Sequence, residues 1–311
     1  ALSDADIITD FTDGSDVLGL ADLQYTGLTI AQGTDSYSND TVVSITETSE
    51  KLAILQGISA SNVNYLDFAS TATGNQSFTG TTGDDVFIGA AGIDTVTTNT
   101  GTDVILTSSG DDVITVDGAG NKTINGGTGT DSLNISSISN LSSASELILA
   151  NDGTSFTITL SDGSVISTSN LEDFKVSGVD YGVYDYRAYE IGGGTTGGVR
   201  GVFLDSATGA AYLAKSAITN SGSTTYNGGR MLYNVVDGVT VTSVKGTDLA
   251  DEFGNSGQTW NNVSVDLGGG DDFSYKTAFG NNANISWGAG NDIAQIKMSA
   301  SDLSSLNMAN F

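Results

Sequence analysis

From Gly80 to Asn134 short apolar runs alternate with glycine-rich polar runs on a nine-residue clock. Gly83, Gly92, Gly101 and Gly110 stand nine apart, and Asp85, Asp94, Asp103 and Asp112 each follow a glycine by two. The clock slips between Asp117 and Lys122. It resumes at Gly126-Gly127-Thr128-Gly129-Thr130-Asp131-Ser132-Leu133-Asn134, which fills every fixed position of the nonapeptide G-G-x-G-x-D-x-U-x. The pattern predicts a polar turn followed by a strand of about three residues with one side chain pointing inward. Those inward positions are Phe87, Val96, Ile105, Ile114 and Leu133. Two units make one coil of a flattened right-handed roll, so aspartates eighteen apart share an edge: Asp85 with Asp103, and Asp94 with Asp112.

The patterning changes on either side of this stretch. In residues 1–74, Leu28 to Ile30, Val42 to Ile45 and Leu52 to Leu55 read as strands of a first module. From 141 to 241 longer alternating runs replace the clock. Turn signals at Asp162-Gly163 and Asp237-Gly238, and a run from Val202 to Leu213, predict antiparallel hairpins there. Beyond 241 the glycine-aspartate turns return at Gly246-Thr247-Asp248, with Asp251 close behind, at Gly268-Gly269-Gly270-Asp271-Asp272, and at Gly288-Ala289-Gly290-Asn291-Asp292. The expected fold is all-β: parallel β-roll or β-solenoid coils at 75–140 and 242–311, with an antiparallel β-rich domain between them.

The turn chemistry points to calcium. Glycines that tolerate positive φ can aim carbonyl oxygens inward, and the aspartate adds a hard, charged oxygen at the end of the turn. The strongest candidate ligand turns are Gly126, Gly127, Gly129 and Asp131, then Gly270 with Asp272 and Gly290 with Asp292. Asp85, Asp94, Asp103, Asp112, Asp248 and Asp251 are further candidates. In the four early units the second glycine is replaced by Thr81, Ala90, Asn99 and Ser108. Their Thr, Asn and Ser side chains offer hydrogen bonds that can hold the turns in place of an ion.

These motifs resemble the RTX (repeats-in-toxin) family of secreted bacterial proteins. The resemblance implies Ca2+ between stacked turns and export without a cleaved N-terminal leader. Asp6-Ile7-Ile8-Thr9-Asp10-Phe11 also resembles part of the module that closes RTX rolls, here ahead of the repeats rather than behind them.

Composition narrows the function. A net charge of −27 leaves no basic stripe for nucleic acid. With no cysteine there is no disulfide, and with no histidine there is no Ser-His-Asp, Cys-His or H-E-x-x-H site. No apolar run is long enough for a membrane-spanning helix. Adjacent carboxylates such as Asp84/Asp85, Asp111/Asp112 and Asp271/Asp272 are better explained as coil ends and metal ligands than as a polysaccharide-cleaving pair, so an enzyme is not expected. The expectation is an extracellular, calcium-dependent structural protein that assembles head to tail with copies of itself. A closing module at one end, carrying Ile7, Ile8 and Phe11, would meet an open coil near Phe311 at the other. The alternative is a calcium-stiffened adhesin that binds cell-surface glycans through Tyr181, Tyr184, Tyr186 and Tyr189. A chain cut from a larger surface protein is also open at this point.

Overall fold

The computed structural model describes residues 5–21, 23–149, 154–184, 187–191, 194–216, 228–297 and 307–309, of which 187–191, 194–198, 216 and 307–309 are described by their backbone alone. The fold is all-β and solenoid-like. Short parallel strands dominate, and the helical turns among the described residues are three-residue 3₁₀ turns.

The nine-residue clock folds as its spacing dictates. Strands Ser77–Thr79, Thr95–Thr98, Val113–Val116 and Ser132–Ile135 run parallel on one face. Val86–Ile88, Asp103–Leu106 and Lys122–Asn125 run parallel on the other. Successive units therefore alternate faces, and the inward residues Phe87, Val96, Ile105, Ile114 and Leu133 meet in one core with almost no exposure. Phe78 stacks on Phe87 at 5.1 Å between ring centroids.

The segment 141–241 is not set apart from this roll. Its hairpin at Asp162-Gly163 pairs Phe156–Leu160 with Val165–Ser169, as the turn residues predict. Val165–Ser169 then adds in parallel to Lys122–Asn125, and Asp173–Val176 adds in parallel to Ser132–Ile135. The wide face continues antiparallel through Val179–Tyr184, Val202–Asp205 and Ala210–Leu213. It returns to parallel pairing with Ser243–Lys245, Ser264–Asp266, Asn284–Ser286 and Asn307–Ala309. One twelve-stranded sheet thus runs through both repeat regions. Opposite its later part, Glu252–Phe253, Phe273–Phe279 and Ile293–Ile296 pair in parallel. They enclose a second core that contains Phe253, Trp260, Phe279 and Trp287, all nearly fully buried. The hairpin at Asp237-Gly238 also forms, with both residues at positive φ (50° and 83°), the backbone a two-residue turn needs.

The first module pairs Leu28–Gln32, Thr41–Ile45 and Lys51–Leu55 as an antiparallel sheet, with Asp6–Ile8 parallel to the last of these strands. Its core holds Phe11, Leu20, Val43, Leu55, Val63 and Phe68. The same cluster includes Ile88, with Val86 packed against it, so the module sits on the first coil of its own chain. Two of the residues expected at a contact between subunits are thereby corrected. Phe11 is buried in this core and Ile8 packs on it, which leaves Ile7, 55% exposed, as the described member of that set that faces solvent. Phe311 lies outside the described residues.

Candidate functional site

The turns at the coil edges carry two ladders of aspartates. On one edge the backbone N–H of Gln76 donates to Asp94, that of Asp94 to Asp112, and that of Asp112 to Asp131. Asp131 N–H in turn donates to Glu172 Oε2 at 2.9 Å. On the other edge Asp85 N–H donates to Asp103 Oδ1 at 3.0 Å. The late coils repeat the arrangement, Gly229 to Asp251 to Asp272 to Asp292. Each carboxylate reaches back one coil to a backbone donor, and charge-assisted bonds of this kind make the aspartate at the end of each turn a staple between coils. The sequence pairings Asp85/Asp103 and Asp94/Asp112 are both present.

Adjacent carboxylates work in opposite directions. Asp84 accepts from Thr102 N–H, Asp111 from Thr130 N–H and Asp271 from Asn291 N–H, each one coil further on. The outer aspartate reaches forward and the inner one reaches back. Asp111-Asp112 and Asp271-Asp272 therefore each join three successive coils, whereas Asp85 accepts only within its own turn.

The second oxygen of each inner carboxylate sorts the turns into classes. In Asp85, Asp94 and Asp251 it is satisfied inside its own turn, by Thr81 N–H and hydroxyl, by Ala90 N–H, and by Thr247 N–H and hydroxyl respectively. In Asp112, Asp131 and Asp272 it is buried and meets no hydrogen-bond donor among the described residues. These three residues are at most 1% exposed. An orphaned buried carboxylate oxygen carries a large desolvation cost unless a cation or proton meets it. Burial pushes the Asp131 carboxyl up to about 6, with Asp112, Glu172 and Asp111 adding like charge nearby. It pushes Asp272 to about 8, where Asp251, Asp292 and Asp271 add to it. Asp251 rises to about 7 and Asp94 also rises, both chiefly from burial.

Glycine supplies the other half of the geometry. Gly129 and Gly290 hold φ of 144° and 157° and lie so close to the carbonyl oxygens of Gly110 and Gly270 that a Cβ would overlap them. Gly127 bears the same relation to Ser108 O and has φ of 91°. Gly270, with φ of 105°, crowds the Leu249 carbonyl. Gly126 is held between Asn170 O and the Asp131 carboxylate. At Gly126 the Asn170 carbonyl and the orphaned Asp131 oxygen thus face the same point, hard oxygens of the kind calcium takes. Among the described residues no group of three or more Asp, Glu, His or Cys side chains is gathered to hold a metal. A site at these turns needs backbone carbonyls to complete it.

In the degenerate units side-chain donors take the carbonyls instead. Asn99 Nδ2 donates to Gly80 O and Ser108 Oγ to Gly89 O at 3.0 Å, while Thr107 Oγ1, at a first position, takes Gly126 O of the intact nonapeptide at 2.6 Å. The polar replacements at the second position therefore hold the turns as their chemistry suggests.

Other candidates fall elsewhere. Asp248 is exposed beside Lys215, at 3.4 Å, and is not part of the ladder. Tyr181 is buried, its ring against Phe174 and Tyr212, and burial pushes its hydroxyl up to about 12, so it belongs to the core rather than to a ligand face. Tyr184 donates to Asp237 at 2.8 Å across the adjoining hairpin. Tyr186 lies outside the described residues, and Tyr189 is described only by its backbone, within Arg187–Ile191. Sequence reasoning missed Glu172 and Lys122, which occupy ladder positions without being aspartates. Lys122 carries a readable signal: Lys122-Thr-Ile-Asn repeats the strand pattern of Asp103-Val-Ile-Leu nineteen residues later.

Among the described residues no helix is long and apolar enough to cross a membrane. No family model matches the chain, and no curated protein matches it. Among solved structures it is similar to the extracellular lipase LipA from Serratia marcescens, at 19% identity and a TM-score of 0.30. That match covers 66% of this chain and spans 29% of the lipase chain.

Proposed function

We propose that the chain is an RTX-like, calcium-dependent structural β-roll of an extracellular assembly, stacking end to end with copies of itself. The observation that carries the calcium reading is the set of orphaned buried oxygens on Asp112, Asp131 and Asp272, in a ladder of turns where Gly127, Gly129, Gly270 and Gly290 hold positive φ against carbonyls of the neighbouring coil. Asp112 and Asp131 would hold one ion on the early edge, and Asp272 with Asp292 another in the late coils. Bound calcium supplies divalent charge that neutralises stacked carboxylates and ties successive coils together. A chain of net charge −27 without cysteine gains little from disulfides or ion pairs, so metal is the natural source of rigidity.

Two strand edges support the assembly reading. Asp6–Ile8 pairs only with Lys51–Leu55, and Ile293–Ile296 only with Phe273–Phe279, among the described residues. Each presents an exposed isoleucine, Ile7 at 55% and Ile293 at 56%. Unpaired strand edges template the addition of another chain, and a head-to-tail contact that does not close propagates as a fibre or layer. Light scattering with negative-stain microscopy, first in calcium and then after chelation, tests this. Filaments or sheets that dissolve on chelation are expected, and monodisperse monomers under both conditions overturn the assembly.

A further inference from the structure

The aspartate column that begins Asp85, Asp103 does not continue with a carboxylate. Strand register places Lys122 opposite Asp103, and Ile166 opposite Lys122. The lysine side chain is fully buried, and Asp103 beside it is 1% exposed. Its Nζ donates to Gly101 O at 2.7 Å and to Ala119 O at 3.2 Å, and stands 3.0 Å from Asp103 Oδ2. Asp103 Oδ2 has no aligned hydrogen bond of its own, so the ammonium is the charge that meets it.

We propose that the Lys122 ammonium is a built-in cation, standing where a metal ion would otherwise bridge the turns, so that the Asp85–Asp103 edge is held without a free ion. The three oxygens around it are two turn carbonyls and one carboxylate, hard oxygens of the type a calcium ion takes. The ammonium donates to the two carbonyls and meets the carboxylate as an ion pair. The local charge is met as well: one lysine faces Asp103, Asp85 is held by Thr81 within its own turn, and the apolar Ile166 follows Lys122 with no further carboxylate in register. The opposite edge differs. There Asp112, Asp131 and Glu172 follow one another, with orphaned oxygens on the first two, a charge that suits a divalent ion. The dependence on added cation is therefore one-sided. The statement about the opposite edge rests on the calcium reading above, whereas the role of Lys122 does not.

The test compares calcium binding and thermal stability of the full chain and three variants, in chelator and in calcium chloride. Lys122→Ala opens the position to an ion, and Lys122→Met fills it with an uncharged stem. In chelator both variants should melt roughly 5–10 °C below wild type, because a buried carboxylate has lost its partner. Calcium should restore Lys122→Ala toward wild type and add one bound ion per chain, while Lys122→Met should gain neither. Asp103→Asn, a milder change, should leave the number of calcium ions per chain at the wild-type value. The proposal is overturned if Lys122→Ala matches wild type in chelator, if calcium restores both lysine variants equally or neither, or if Asp103→Asn lowers the ion count. Should neither lysine variant fold, the Asp103→Asn count decides. If wild type binds no calcium yet calcium restores Lys122→Ala alone, the calcium reading of the other edge fails and the role of Lys122 stands.

Discussion

At the scale of single residues, the second oxygen of each aspartate decides what a turn needs. Asp85, Asp94 and Asp251 satisfy it locally, Asp103 meets Lys122, and Asp112, Asp131 and Asp272 leave it bare. A carboxyl whose value is higher in the folded than in the unfolded chain stabilises the fold fully below the unfolded value, and that stabilisation is lost as pH rises through the folded one. For Asp131, Asp251 and Asp272, raised to about 6, 7 and 8, this window lies between about pH 4 and pH 8. In chelator the melting temperature should therefore fall as pH rises from 5 to 9. Calcium should flatten that slope, since it binds the ionised carboxylates. A melting temperature in chelator that climbs over this range contradicts the assignment. Glycine gives a paired test. Gly129 and Gly163 both hold positive φ, but a Cβ on Gly129 would strike Gly110 O while one on Gly163 meets nothing within 4 Å. Gly163→Ala should cost about 1 kcal/mol and Gly129→Ala clearly more, roughly 3 kcal/mol, by denaturant titration.

At the scale of elements, strands, their inward residues and the hairpin turns were legible because each follows a local period. Phe87, Val96, Ile105, Ile114 and Leu133 point inward as the nine-residue clock requires, and the hairpins at Asp162-Gly163 and Asp237-Gly238 form where their turn residues stand. What was not legible depends on register between distant segments. Glu172 reaches its ladder position only after the chain has made an excursion of 41 residues from Asp131, a distance no repeat announces. The parallel joining of Val165–Ser169 and Asp173–Val176 to the roll was hidden in the same way. The first module was also legible as strands, but not its partner, because an apolar face in a sequence does not say what covers it. Its link to the roll is Ile88, 3% exposed in the module's core. Ile88→Ala should cost about 2–4 kcal/mol. Hydrogen exchange should then show residues 28–55 opening before the roll. Uniform opening of the whole chain would mean that the module and the roll unfold as one unit.

For the whole molecule, one sheet of twelve strands links both repeat regions through the antiparallel middle. The coil edges of both repeat regions are thereby joined by one continuous sheet rather than set in separate sheets. A solenoid gains stability from contacts between neighbouring coils, and an ion bridging two turns strengthens such a contact directly. Calcium binding by the turns is the central claim, and isothermal titration of chelator-stripped protein with calcium chloride at pH 7 tests it most directly. It predicts saturable binding whose heat changes with the ionisation enthalpy of the buffer, because Asp272, raised to about 8, must release its proton to ligate the ion. It also predicts that an Asp131→Asn, Asp272→Asn double variant loses most of that binding. Absence of saturable binding by the wild-type chain, or full binding by the double variant, would contradict it.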